Sequence, residues 1–324
     1  MNINMNIIGV GKVLPLKVNA DSIKSGMKIN GVSEPEDFDI KKYIKYKGLR
    51  SLTKATNLAI ASISDAINDA GVKYNQHRPE RIGVFVGSTL NPTDGALHFM
   101  SDVYETTADF VSPLKFSSTV LNNISGWASI VYGITGVNST VISGNLSGID
   151  ALKMATEYIN NNVIDVAIVT AVEGNEENSI YHLGNNIHNV KTITGAVTVI
   201  IEKNEDSYAS IEKIYSFQHY EENREKIILK LEEEMKNEQF NNLIYGSSNN
   251  NDELISAYLR NSMVSHDINI INTAESIGTS NSLSGFLKLI TALELKEKTL
   301  IVETNEIGTD SILKINSKSK EVSL

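Results

Sequence analysis

Ser139–Ala151, STVISGNLSGIDA, is the stretch on which the fold turns. Ser139–Ser143 reads as a short β-strand, followed by a tight Gly-rich turn centred on Asn145. A helix then runs on through Leu152, Met154, Ala155 and Ile159. Such a turn holds its central side chain at a helix N-terminus, where backbone N–H groups and the helix dipole favour negative charge. Many acyl-transfer enzymes place their nucleophile at this corner. Here the corner carries Asn145, and an amide is no nucleophile.

Working outward, the 324 residues suffice for one large domain or two moderate ones with a real core. Apolar residues make up 41% and charged residues 21%, as in ordinary soluble globular chains. The net charge of −10 argues against a surface built for nucleic-acid phosphates. It suits a partner presenting basic residues, whereas an acidic carrier protein would need a local basic patch. There is no cysteine, which excludes disulfides, thiolate metal sites and Cys nucleophiles. No run of about 18 apolar residues suggests a membrane span. The opening MNINMNIIGVGKVLPL lacks the charged and apolar regions of a signal peptide, so a cytoplasmic protein is expected.

Along the chain, strands are expected at Asn4–Gly11, Arg81–Gly87, Val163–Val172, Thr194–Glu202, Tyr208–Phe217, Asn242–Tyr245 and Ile268–Asn272. Leu300–Val302 and Ser311–Ile315 read as a closing hairpin. Helices are expected at Thr53–Ala70, ended by Gly71, and at Asp94–Ala108, Leu121–Tyr132, Asn223–Glu238, Glu253–Asn261 and Ser284–Glu297. Pro113–Phe116 reads as a turn, Glu173–Lys191 and Ser276–Ser282 as polar loops, and Lys318–Leu324 as a frayed tail. The β/α order runs through residues 4–200 and again, in a shorter version, through 208–316. No Pro/Gly-rich linker separates the two, so two fused halves are expected, 1–203 and 204–324.

These segments resemble the β-ketoacyl-acyl carrier protein synthases, which have the thiolase fold. Ser112–Leu152 resembles their dimer-helix and nucleophile-elbow region. Ile8–Pro15, Lys47–Gly71, Asp165–Gly174, Thr194–Lys203, Gly285–Glu294 and Glu306–Ile315 resemble further family elements in the same order. The resemblance implies an α/β thiolase-like fold of two pseudo-repeated βαβα halves in five α-β-α-β-α layers, the second half shortened.

It also implies catalytic groups that this chain lacks. Condensing members use an elbow Cys for transacylation and two His residues that assist decarboxylation and stabilise the enolate oxyanion. The Cys position aligns with Asn145. The first His–Gly–Thr element aligns with Tyr245–Gly246–Ser247, the second His lies near Ser276, and the usual Lys falls near Ile271. This joint loss is similar to chain-length factors of type II polyketide synthases, which carry an amide, usually Gln, in place of the Cys. They pair with an active synthase and help shape its tunnel.

The resemblance therefore implies a non-catalytic subunit without cofactor or metal. Its expected partners are an active β-ketoacyl synthase and an acyl carrier protein, with no nucleic acid and no membrane. Asn145, Ser143, Ser147 and Ile307 are pocket candidates; Asn122, Asn123, Trp127 and Tyr132 are interface candidates.

Competing readings stay open at this point. Asn145 fits an inert filler, a hydrogen-bonding prop or a cap for the following helix. Ser143 or Ser147 would serve an acyltransferase or hydrolase only with a base in reach, and His182 and His188 are the nearest in sequence. Their i, i+6 spacing frames no metal site, and His77, His98, His219 and His266 are isolated. A homodimer that binds an acyl chain or carrier is a third reading. Gly9 and Gly11 lack the third glycine of a dinucleotide loop, because Leu14 stands there. Asn223–Glu238 reads as an amphipathic surface helix with a heavily charged, solvated outer face.

Overall fold

The computed structural model describes residues 2–48, 52–107, 111–175, 191–203, 207, 209–218, 225–246, 250–262, 268–278, 280–305 and 308–317. The first half contains β1 (Asn2–Val13), α1 (Lys54–Ala70), β2 (Ile82–Gly87), α2 (Asn91–Glu105), α3 (Asn123–Tyr132), β3 (Asn138–Val141), α4 (Ser147–Asn160), β4 (Val166–Glu173) and β5 (Gly195–Glu202). The second contains β6 (Ala209–Gln218), α5 (Lys226–Asn237), β7 (Asn242–Tyr245), α6 (Asn250–Ser262), β8 (Asn269–Asn272), α7 (Ser284–Leu295), β9 (Thr299–Thr304) and β10 (Thr309–Ser317).

The ten strands form one sheet in the order β8-β7-β9-β10-β6-β1-β5-β4-β2-β3. Counted outward from the β1–β6 pair, one half reads β1-β5-β4-β2-β3 and the other β6-β10-β9-β7-β8. The directions repeat as well. β1–β5 and β5–β4 are antiparallel while β4–β2 and β2–β3 are parallel. β6–β10 and β10–β9 are antiparallel while β9–β7 and β7–β8 are parallel.

Burial explains the layers. β2, β4 and β5 are continuous apolar runs buried on both faces, as strands covered by helices must be. The outer face of the first half-sheet packs against α1 and α3. The inner faces of both half-sheets close over α4 and α7. α5 and α6 cover the outer face of the second. The result is the thiolase fold in α-β-α-β-α layers.

Thr53 caps α1 by accepting the Thr56 N–H, and Gly71 ends it with its N–H on Ile67 O. The pair Gly9 and Gly11 has a packing cause, not a nucleotide. A Cβ on Gly11 would stand 2.0 Å from Ser62 O, so β1 lies directly on α1 there.

Several expected boundaries move. α2 begins at Asn91 and ends at Glu105, α3 begins at Asn123, and α5 covers only Lys226–Asn237. Pro113–Phe116 is a short helical turn, and Ser276 lies in a short helix, Ala274–Ile277. Most of the loop expected at Glu173–Lys191, the tail Lys318–Leu324, and Ile307, His182, His188, His219 and His266 lie outside the described residues. Among the described residues no helix is long and apolar enough to cross a membrane.

Candidate functional site

The elbow is built from a left-handed glycine and short hydrogen bonds. β3 leads through Ile142 and Ser143 into a 3₁₀ turn, Gly144–Leu146, and then into α4. Gly144 takes φ +63°, which costs glycine nothing and an L side chain about 1–2 kcal/mol. Ser147 Oγ closes the turn from inside. It accepts the Ser143 N–H at 2.9 Å and donates to Gly144 O at 2.7 Å. Thr89 Oγ1 donates to the same carbonyl at 3.1 Å.

The second half of the chain braces the turn. Asn305, just past β9, donates Nδ2–H to Ser143 O at 2.7 Å. Asn145 Nδ2 points at Thr304 O at 3.5 Å, a long contact. Asn145 does not cap α4: Leu146 stands at the N-cap position without a side-chain cap bond. Below the turn, Glu173 is fully buried and accepts N–H bonds from Thr89 at 2.7 Å, Leu90 at 3.1 Å and Ser282 at 3.2 Å. Burial pushes its carboxyl up, against the hydrogen bonds from Ser282, Leu90 and Thr89 that favour the ionised form. Lys288 and Glu303, both fully buried, pair at 2.7 Å, and Ser284 Oγ joins them at 2.9 and 3.0 Å. The pair ties α7 to β9, the strand that presents Thr304 and leads into Asn305.

The candidate residues separate. Tyr245 ends β7 and turns outward, its hydroxyl 2.8 Å from Ser256 Oγ on α6 within the outer apolar cluster. Ser276 is buried in its own short helix. Neither hydrogen-bonds Asn145 among the described residues. Ser147 is fully buried with its hydroxyl committed to the turn, so it cannot reach a substrate. Ser143 is half-buried and donates its hydroxyl to Asp150 Oδ2 at 2.6 Å.

At the start of α3, the N-cap residue Asn122 is exposed and Asn123 is buried. Trp127 and Tyr132 pack on the α1 side, and the Tyr132 hydroxyl donates to Ile60 O at 2.6 Å. No group of three or more His, Cys, Asp or Glu that could hold a metal ion occurs among the described residues.

Sequence reasoning missed Asn305, Glu173 and Asp150. A carboxylate closing the otherwise apolar run VAIVTAVE was a usable signal for Glu173. Asn305 stands 162 residues from Ser143, and nothing local announces it.

Chemically, the site offers amide and hydroxyl hydrogen bonds around a rigid corner. It offers no thiolate, and no imidazole beside Asn145 among the described residues.

A family model described as "Beta-ketoacyl synthase, N-terminal domain" matches residues 20–196. Curated relatives include the 3-oxoacyl-[acyl-carrier-protein] synthase 2 of Vibrio harveyi, 27% identical over 38% of this chain and 30% of the relative. Another is the protein of the same name from Staphylococcus aureus strain MRSA252, 23% identical over 53% and 46%. The matches thus span less than half the length of those relatives.

Among solved structures, the chain superposes with TM-score 0.82 and 16% identity on AntDE:AntF, a type II PKS acyl-carrier protein in complex with its ketosynthase. The match covers 98% of this chain and 100% of that one. It superposes at 0.74 and 12% on a ketosynthase in complex with its chain length factor from Xenorhabdus doucetiae, covering 97% and 98%. Such identities show a shared fold. The family match, with the elbow and the duplicated sheet, leads to one conclusion: the chain belongs to the β-ketoacyl synthase family.

Proposed function

We propose that this chain is a non-catalytic, chain-length-factor-like subunit that pairs with an active β-ketoacyl synthase and shapes that partner's acyl pocket. The observation that carries the proposal is Asn145 on an intact elbow. Gly144, Ser147, Thr89 and Asn305 keep the turn in place, while the residue it presents cannot form a thioester. The corner is kept as architecture and the bond-making belongs to the partner.

A second feature supports the pairing. Among the described residues, β3 is an edge strand, hydrogen-bonded in the sheet only to β2. Exposed Ile142 follows it, and Leu121 and Ile130 are exposed just before and on the neighbouring α3. An open edge flanked by apolar side chains is a surface that soluble chains normally cover. Chain-length-factor and carrier-protein complexes among the structural neighbours agree with a synthase and a carrier as partners.

The direct test adds the purified chain to an active synthase with acyl and malonyl thioesters and analyses the products. A shifted product length with no acyl group on this chain supports the proposal. An unchanged product profile contradicts it.

The Ser143–Asp150 hydrogen bond favours a second reading, a serine acyltransferase or hydrolase. A fluorophosphonate probe decides it: stoichiometric labelling of Ser143, lost in Ser143→Ala, would establish that reading in place of the first.

A further inference from the structure

A cleft of about 620 Å³ opens beside the elbow, between one face of α4 and the adjoining ends of β6, β10 and α5. Two of its lining residues are Lys153, on α4, and Lys226, at the first position of α5. Neither forms an ion pair or a side-chain hydrogen bond among the described residues. Their neighbours differ: Lys230, Lys298 and Lys314 are all paired with glutamates. Asp150, the one carboxylate among the described lining residues, accepts the Ser143 hydroxyl and ion-pairs with neither lysine.

In a chain of net charge −10, two uncommitted ammonium groups from different elements facing one concavity focus a positive field. Gln218 and Thr309 add neutral hydrogen-bonding groups from paired positions of β6 and β10. Leu146 and Phe217 add apolar wall.

We propose that this cleft binds a small phosphate monoester with a short aliphatic part. Charge and acceptor number favour phosphate over carboxylate. A monoester near pH 7 carries about −1.5 to −2 and three acceptor oxygens, so it can engage both ammonium groups at once even with Asp150 offsetting part of their charge, whereas a carboxylate brings one charge and two oxygens. Lysine also suits phosphate, as a point charge with three rotatable donors. The volume falls within the usual range for small-molecule sites, about 300–1,000 Å³. The inference needs only this chain and stands whether or not the chain pairs with a synthase.

The test titrates the full chain with butyl phosphate by calorimetry at low salt, with butyrate and inorganic phosphate in parallel. Saturable one-to-one binding of butyl phosphate is expected. It should weaken tenfold or more in Lys153→Met/Lys226→Met and fall with added salt. Inorganic phosphate should bind more weakly, lacking the contact with Leu146 and Phe217. Both lysines lie at the surface of the cleft, so the double variant should keep the parent's circular dichroism and melting temperature. Asp150→Asn should tighten binding. Absence of saturable binding, affinity unchanged in the double variant, or butyrate binding as tightly as butyl phosphate would overturn the assignment.

Discussion

At the residue scale the account rests on Asn145 and on what holds it. Restoring a thiol there should not restore condensation, because Tyr245 and Ser276 place no imidazole beside the turn. Asn145→Cys is therefore expected to give no detectable product from acyl and malonyl thioesters, followed by mass spectrometry. Asn145→Ala should leave complex formation with a synthase nearly unchanged. Asn305 matters more for stability. Asn305→Ala removes the donor to Ser143 O and should cost about 0.5–1.5 kcal/mol in urea unfolding, the net worth of a half-buried hydrogen bond. The difference in legibility between these two residues is physical. A strand, a positive-φ glycine and a helix start are local, so the sequence places Asn145 at a corner unaided. A latch across the two halves is set by the duplicated sheet, which a local pattern does not encode.

At the scale of elements, α5 is the amphipathic surface helix that the sequence suggested, burying Ile227 and Leu231. The departure is Glu234, a carboxylate on that same buried face. Glu234 accepts the Tyr215 hydroxyl at 2.6 Å and pairs with Lys230 at 3.0 Å and Lys314 at 3.2 Å. Helical periodicity places Glu234 on the inner face; only the neighbouring strands β6 and β10 make that face hospitable to a carboxylate.

Burial pushes the Glu234 carboxyl up, but the hydrogen bonds from Tyr215, Lys230 and Lys314 outweigh it and bring the pKa down from 4.5 to about 2. A depressed folded-state pKa contributes stability above the unfolded value and loses it as pH falls through the folded one. Stability should therefore drop between pH 4.5 and about 2 partly on Glu234's account, and denaturant titrations of Glu234→Gln should show a flatter profile over that window.

The Lys288–Glu303 pair makes a second test of an element contact. Lys288→Met alone leaves a buried, unpaired carboxylate and should cost about 3–5 kcal/mol, whereas Lys288→Met with Glu303→Leu should recover most of it. Equal losses in the single and double variants would show that the pair does not couple α7 to β9.

At the scale of the whole molecule, the duplication was legible because a β/α order recurs, in a shorter version, in the second half. The matching strand orders on either side of the β1–β6 pair account for that recurrence. We place the boundary between the halves at residue 203/204, in the link from β5 to β6. The joining of the halves into one continuous sheet was not legible, since β1–β6 pairing lies between strands about 200 residues apart.

The same topology leaves β3 at one end of the sheet, beside Ile142, Leu121 and Ile130, and this edge is where a partner would add. The sharpest measurement is co-expression of this chain with an active β-ketoacyl synthase, followed by size-exclusion chromatography and native mass determination. The account predicts a one-to-one heterodimer, lost in Ile142→Lys, which places a charge beside the open edge. A self-dimer of this chain alongside a synthase that is fully active without it would contradict the account.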